Sequence, residues 1–344
     1  QQIGVVELAT GEVTQFTEGN HQHTLQAVSH DGKKIVIGVN RKENQDLEFR
    51  QPLFLVDVET KEETVLIDEE GFYGGARFSS DDRYIAFVGK DQKFYNATHS
   101  YVYVYDIEEG TRINLTESLD APVGDYVVAD HQQGVNAPAV SWTKHNQLYF
   151  QLSTMGDVRL YFATLEGELY PASPENEHIY DYAMSADGEF ALVAVTNTTN
   201  PGELYKQTIT TGERVALTSF NQTYLEEVEL VEPQAITYIS TSELDVHGWL
   251  LKPADYEKGK KYPLIVEIHG GPHTMYGNSF FHEMQLLAAQ GYGVLYVNPR
   301  GSHGYNQSFV NAVRGDYGIG DYADIMAGLD AIIEENDWID KDRL

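Results

Sequence analysis

The sequence predicts two units in succession: a β-propeller, partial and with about four to five blades visible, over residues 1–229, and the first part of an α/β domain over residues 230–344. Three observations lead there. A strand–turn–strand pattern recurs with turn positions 11, 61, 110, 167 and 212, roughly every 45–57 residues, near the period of propeller blades. A second pattern of Asp-Gly or Asp-Asp turns followed by β-branched and aromatic runs sits between those hairpins. After about residue 230 the order changes to strand, helix, strand, helix, which implies parallel pairing.

The hairpins are read in order. Ile3–Leu8 precedes Thr10-Gly11-Glu12-Val13, Leu53–Val58 precedes Thr60-Lys61-Glu62-Glu63, and Tyr101–Asp106 precedes Glu109-Gly110-Thr111-Arg112. Leu160–Leu165 then leads into Gly167-Glu168-Leu169, and Leu204–Gln207 into Thr211-Gly212-Glu213-Arg214. The intervening turns are Ser29-His30-Asp31-Gly32, Ser80-Asp81-Asp82 and Ser185-Ala186-Asp187-Gly188, with a weaker match at Trp142–Asn146. Radial four-stranded sheets account for a period near 50, which a sandwich does not require. The first copy lacks early strands, so truncation within the propeller is the expectation at the N-terminus.

In the second unit, Ala235–Ile239 and Val246–Leu251 read as strands joined by a turn at Ser242-Glu243, and Leu264–Ile268 and Val294–Val297 as buried strands. Phe280–Gln290 has helical character with Gly291 as its stop. Asp321–Glu335 is a helix with Ile325, Leu329, Ile332 and Ile333 on one face. Two βα units after a hairpin leave a sheet unfinished at the C-terminus.

Composition excludes several functions. The chain of 344 residues carries 53 Asp+Glu against 23 Lys+Arg, a formal charge of −30 that repels phosphate backbones and anionic lipid, so neither nucleic acid nor membrane is expected as a partner. Its 42% hydrophobic content supports packed cores rather than disorder. Cys is 0, which rules out disulfides, thiolate metal sites and a Cys nucleophile and makes a cytoplasmic location the expectation. His21 and His23 alternate on one strand face without a third ligand, so no metal is expected.

The chemistry concentrates in Ile268-His269-Gly270-Gly271-Pro272, after a buried strand and before a helix. In α/β-hydrolases this loop supplies a backbone N–H to the oxyanion hole, where fixed donors stabilise the tetrahedral intermediate. Glycine lets the backbone approach substrate without a Cβ in the way. Farther on come Asn298-Pro299-Arg300-Gly301-Ser302-His303-Gly304-Tyr305, Arg314-Gly315-Asp316-Tyr317-Gly318 and Asp321-Tyr322-Ala323-Asp324. In that order and after a propeller, these segments resemble the acylaminoacyl-peptidase branch of the prolyl-oligopeptidase family of serine peptidases.

The resemblance implies a β-propeller followed by the N-terminal part of an α/β-hydrolase domain, with Gly271 and its neighbour Gly270 in the oxyanion loop. His269 and Pro272 would contact substrate from the same loop. It implies an acyl-enzyme mechanism on short peptides, with a propeller that keeps large folded substrates out and with no cofactor. The sequence departs from the family in one respect: no Gly-x-Ser-x-Gly elbow occurs. Ser302 and Ser279 have the wrong surroundings, and His269, His273, His282 and His303 lack the right place in chain order. The triad is therefore expected beyond Leu344, and the 344-residue chain alone is expected to be inactive. A carboxylesterase-type hydrolase and a non-catalytic propeller binding module stay open, as does a homo-oligomer formed through an exposed sheet edge. Near the site, Arg300 is expected to brace the loops through Asp316 or Asp324, because a charge in such a core is tolerated when paired.

Overall fold

The computed structural model describes residues 1–131 and 134–344. Strands Gly4–Val6 and Val13–Gln15 pair as a small exposed sheet. Four-stranded antiparallel meanders follow. His23–Val28, Lys34–Val39, Leu53–Asp57 and Glu63–Ile67 form the first. Gly71–Phe78, Tyr84–Asp91, Tyr101–Asp106 and Thr111–Asn114 form the next, to which Arg50–Gln51 adds in parallel. Ser141–Trp142, Leu148–Thr154, Asp157–Ala163 and Leu169–Pro171 come third. His178–Met184, Phe190–Asn197, Asn200–Thr208 and Arg214–Ala216 come last, bridged to the third by Val158 and His178.

One polar turn joins the first two long strands of these repeats. Ser29 Oγ donates to Asp31 and accepts from Lys34 N–H, while Gly32 takes φ +71° to close the reversal. Ser185, Asp187 and Gly188 repeat it. In the second meander the serine is Ser79, not Ser80: Ser79 Oγ bonds Asp81 and Tyr84 N–H, and Asp82 takes the left-handed position at φ +58°. The turn is Ser-x-Asp-(Gly/Asp) in the first, second and fourth meanders and Thr143-Lys144-His145-Asn146 in the third, so aligning the second on Ser80 is one residue late. Between meanders the apolar strand faces meet in shared cores; Val36, Leu53, Ile85 and Phe87 are fully buried in one of them.

The second unit holds a four-stranded sheet in the order Gln234–Ile239, Asp245–Leu251, Gly293–Asn298, Leu264–Glu267. Only the last pair is parallel; Gly293–Asn298 runs antiparallel to Asp245–Leu251. The sheet is therefore mixed where strand–helix alternation predicts parallel, because the opening hairpin lends one of its strands to the centre. Helix His282–Ala289 makes the crossover between the two parallel strands. Helix Gly320–Glu335 covers one face, burying Ile325 and Ile332 against Tyr238, Val246, Leu295 and Val297.

Leu264–Glu267 lies at the sheet's end. Leu264 N–H donates away from the sheet, to Arg343 O. Because strand groups alternate in direction, Val266 faces the same open edge. No helix of the described residues is long and apolar enough to cross a membrane.

Candidate functional site

The loop after Leu264–Glu267 is framed from its own residues outward. Gly271 sits at φ +126°, and a Cβ there would stand 2.8 Å from His273 N and 3.1 Å from Thr274 Oγ1. Only glycine takes that backbone without strain. Gly270 has open space around its Cβ position. Both are exposed, and among the described residues neither amide N–H donates a hydrogen bond. These uncommitted N–H groups lie just past the C-terminal end of the sheet's end strand, Leu264–Glu267.

His269 holds the loop's shape. Its Nδ1 lies 2.9 Å from Gly270 O and its Nε2 2.9 Å from Ser302 Oγ, while Thr274 Oγ1 donates to Gly270 O at 2.7 Å. Ser302 Oγ lies between His269 Nε2, at 2.9 Å, and Pro299 O, to which it donates at 2.7 Å, and Thr274 Oγ1 is also 3.1 Å from His269 Nδ1. Pro299 O also accepts Ser302 N–H. Burial holds the imidazole's pKa below its ordinary value and opposes the charged form. His269 thus shapes the loop through its ring contacts. Pro272 follows Gly271 in the half-buried part of the loop.

The exit from the loop is fixed by Asn298, which is fully buried. Its Oδ1 accepts Tyr276 N–H at 2.7 Å, and its Nδ2 donates to Tyr276 O at 2.8 Å and to Tyr305 Oη at 3.0 Å. His273 Nδ1–H reaches Gly301 O at 2.9 Å, and His303 N–H reaches Thr274 O. Sequence reasoning quoted Asn298 without a role and passed over Tyr276. An Asn ending an apolar strand run was the available signal, since a buried amide needs partners.

Arg300 meets Asp324. Its Nε donates to Oδ2 at 2.9 Å, its Nη2 to Oδ1 at 2.7 Å and its backbone N–H to Oδ2 at 2.8 Å. Ser240 Oγ gives Asp324, 0% exposed, a further donor. The carboxylate raises the guanidinium's pKa above its ordinary value. Asp316 instead accepts Gly320 N–H at 3.1 Å and acts on Arg300 only through space. The pair ties the Asn298–Tyr305 segment to helix Gly320–Glu335.

Ser302 and Ser279 are both occupied. Ser302 is 1% exposed and bonds His269 and Pro299 O. Ser279 belongs to a Ser–His–Asp contact: its Oγ is 3.0 Å from His178 Nδ1, and His178 Nε2 is 2.7 Å from Asp125 Oδ2. Ser279 is 4% and His178 1% exposed, so no substrate carbonyl reaches the hydroxyl. The contact is a buried strut between the meanders and the loop's C-terminal continuation. The same continuation is stitched to the meanders by Met275 N–H to Tyr126 O, Asn278 N–H to Gly156 O, Asn278 Nδ2 to Asp157 and Phe280 N–H to Thr196 Oγ1.

Residues 278–344 match the model of the prolyl oligopeptidase family. The uncharacterized peptidase YuxL of Bacillus subtilis is 38% identical over 344 residues, 100% of this chain and 52% of that protein. The acylaminoacyl peptidase of Pyrococcus horikoshii superposes with TM-score 0.76 at 28% identity, covering 98% of this chain and 50% of the other. An acylaminoacyl peptidase in complex with Z-Gly-Gly-Phe-chloromethyl ketone gives TM-score 0.78 at 28% identity, over 98% and 49%. The chain spans about half the length of the curated relatives it matches. Sequence and structure agree, and the chain carries the sequence and the propeller-and-hydrolase architecture of the prolyl oligopeptidase family, on its acylaminoacyl-peptidase-like side.

Proposed function

We propose that this chain forms the propeller, residues 1–229, and the first part of the catalytic domain, residues 230–344, of a serine peptidase that hydrolyses short peptides through an acyl-enzyme. The four-stranded meanders are its blades, about four to five in this chain. The observation that carries the reading is the exposed Gly271 N–H, uncommitted and held at φ +126° beyond the strand Leu264–Glu267.

In this mechanism a serine attacks the peptide carbonyl, whose oxygen gains negative charge as the tetrahedral intermediate forms. Gly271 N–H donates to that oxygen, with Gly270 beside it, and the donor costs no reorganisation because His269, Thr274 and Asn298 already fix the loop. A histidine takes the serine's proton and returns it to the leaving amine, oriented by a carboxylate. The occupied state of Ser302 and Ser279 supports assigning that triad to the whole protein rather than to these residues. His269 and Pro272 line the substrate's path. The propeller caps the site and admits short peptides, no cofactor enters the reaction, and the protein works in the cytoplasm.

The test uses the whole protein containing this sequence. It is expected to gain one adduct from a fluorophosphonate probe and to cleave an acyl-peptide anilide in preference to a simple ester. The 344-residue chain is expected to do neither. A whole protein that takes no adduct, or a 344-residue chain that turns over the anilide, overturns the proposal.

A further inference from the structure

A cavity of about 560 Å³ opens beside the oxyanion loop, lined by Tyr95, Asn96, His273, Arg314 and Gly315. His273 joins the two places: its backbone N stands where a Gly271 Cβ would touch it. Whatever lies in this cavity is next to a carbonyl held at Gly271.

The cavity's chemistry runs against that of the whole chain. At a formal charge of −30, arginines here rarely lack an acid. Each arginine other than Arg77 and Arg314 lies within ion-pair distance of a carboxylate, and Arg77 donates to Ala76 O. Among the described residues Arg314 has no such partner. It is exposed, and its guanidinium lies over the Tyr95 ring at 5.0 Å from the centroid. The Tyr95 ring lies against one side of the group, and among the described residues no hydrogen bond from the Arg314 guanidinium N–H groups competes with a planar anion for them.

Tyr95 is held for this contact in an unusual way. It takes φ +53°, a left-handed conformation that costs a non-glycine residue about 1–3 kcal/mol, and its ring is exposed. Local bonds keep it there, from Tyr95 N–H to Gln92 O and from Thr98 N–H to Tyr95 O. Lys90, whose ammonium lies 3.4 Å from Asn96 O, adds positive charge behind the cavity. His273 spends its Nδ1–H on Gly301 O, so it forms a wall and leaves anion recognition to Arg314.

We propose that this cavity binds the free C-terminal carboxylate of a short peptide, in a bidentate contact with Arg314, and that it thereby selects substrates that end a few residues beyond the cleaved bond. The ligand class rests on the peptidase reading above; the carboxylate site itself does not. A charge-assisted fork contact of this kind is worth about tenfold in affinity.

The experiment measures binding, not turnover. An N-acetylated tetra-alanine peptide is titrated into the 344-residue chain by calorimetry in three forms: free acid, C-terminal amide, and an amide whose last residue is Asp. The free acid is expected to bind about tenfold tighter than the amide, with the advantage shrinking as salt rises. In Arg314→Gln the advantage is expected to fall below about twofold, and in Tyr95→Leu to be reduced several-fold, each with an unchanged circular dichroism spectrum. No preference for the free acid, no binding of any form, a preference that survives Arg314→Gln, or an equal gain from the Asp side chain each overturns the proposal. A whole protein that refuses the fluorophosphonate while the chain keeps its carboxylate preference would end the peptidase reading and leave this site standing. Labelling without the preference would do the reverse.

Discussion

Replacing Asp324 with Ala tests how the site is braced. Asp324 is 0% exposed and accepts three bonds from Arg300 and one from Ser240. The substitution strands a guanidinium whose side chain is only 14% exposed, leaving it Thr241 as its hydrogen-bond partner. Removing one member of a buried pair costs about 3–5 kcal/mol, because the other charge stays desolvated. The remaining exposure and Thr241 recover part of this, so ~3 kcal/mol is expected. Asp316→Ala is the internal control: it loses one bond to Gly320 N–H, worth ~1 kcal/mol. Urea unfolding of the 344-residue chain, followed by fluorescence, reads both; Trp249 and Trp338 lie in the same unit as Asp324. A loss under ~1 kcal/mol for Asp324→Ala, or an equal loss for Asp316→Ala, would refute the reasoning.

Three further outcomes are expected. Gly271→Ala in the whole protein should lower kcat/KM by about 10²–10³-fold, since the Cβ displaces the donor N–H, while costing ~1–3 kcal/mol of stability; unchanged anilide hydrolysis would remove Gly271 from the oxyanion hole. The second concerns pH. Burial lowers His99 to about 4, and burial together with His99 and His273 lowers His303 to about 2. Both folded values lie below the ordinary 6.5, so the unfolded chain takes up protons first. Their contribution is complete above pH 6.5 and is lost as pH falls through the folded values, at up to ~1.4 kcal/mol per unit for each. Urea midpoints between pH 6.5 and 5, above the carboxylate range, should fall less steeply in His99→Leu than in the parent; an identical slope would count against it. Finally, His178→Leu should speed amide exchange across Met275–Gln285, because Asp125 and Ser279 lose their shared partner; protection equal to the parent's would show the strut to be dispensable.

What the sequence revealed was local. The Ser-x-Asp-Gly turns, the Gly-containing hairpins and the His-Gly-Gly-Pro loop each lie within a few residues, where turn chemistry and backbone freedom act directly. The error at Ser80 is of the same scale: two adjacent serines offer the same letter, and only the bonds to Asp81 and Tyr84 N–H single out Ser79. The choice between Asp316 and Asp324 was left open by sequence because both precede or enter one helix; the helix turns Asp324 inward onto Arg300 and leaves Asp316 at its N-terminus. Neighbours distant in the chain were not legible. Asp125, His178 and Ser279 carry no joint pattern, nor do Tyr95 and Arg314. The antiparallel pairing of Gly293–Asn298 with Asp245–Leu251 depends on which strand the crossover leaves in the centre, and apolar runs do not encode that.

The long-range contacts have a common address, which bears on why a propeller accompanies this loop at all. A short glycine-rich turn on a sheet's end strand would wander if its sheet alone held it, and a donor that must reorganise at the moment of reaction loses much of its value. Here the turn is fixed on one side by Asn298, Ser302 and Gly301, residues of the α/β unit. On the other side the segment that leaves it is bonded to Gly156, His178 and Thr196 of the meanders and to Tyr126 of the connection between the second and third. Met155 N–H to Gly304 O extends the same seam to the segment that carries Arg300. The meander side of the chain therefore holds the segment that leaves the loop, as the α/β side holds the loop itself. Separating the two units should cost the loop its order before it costs either unit its fold.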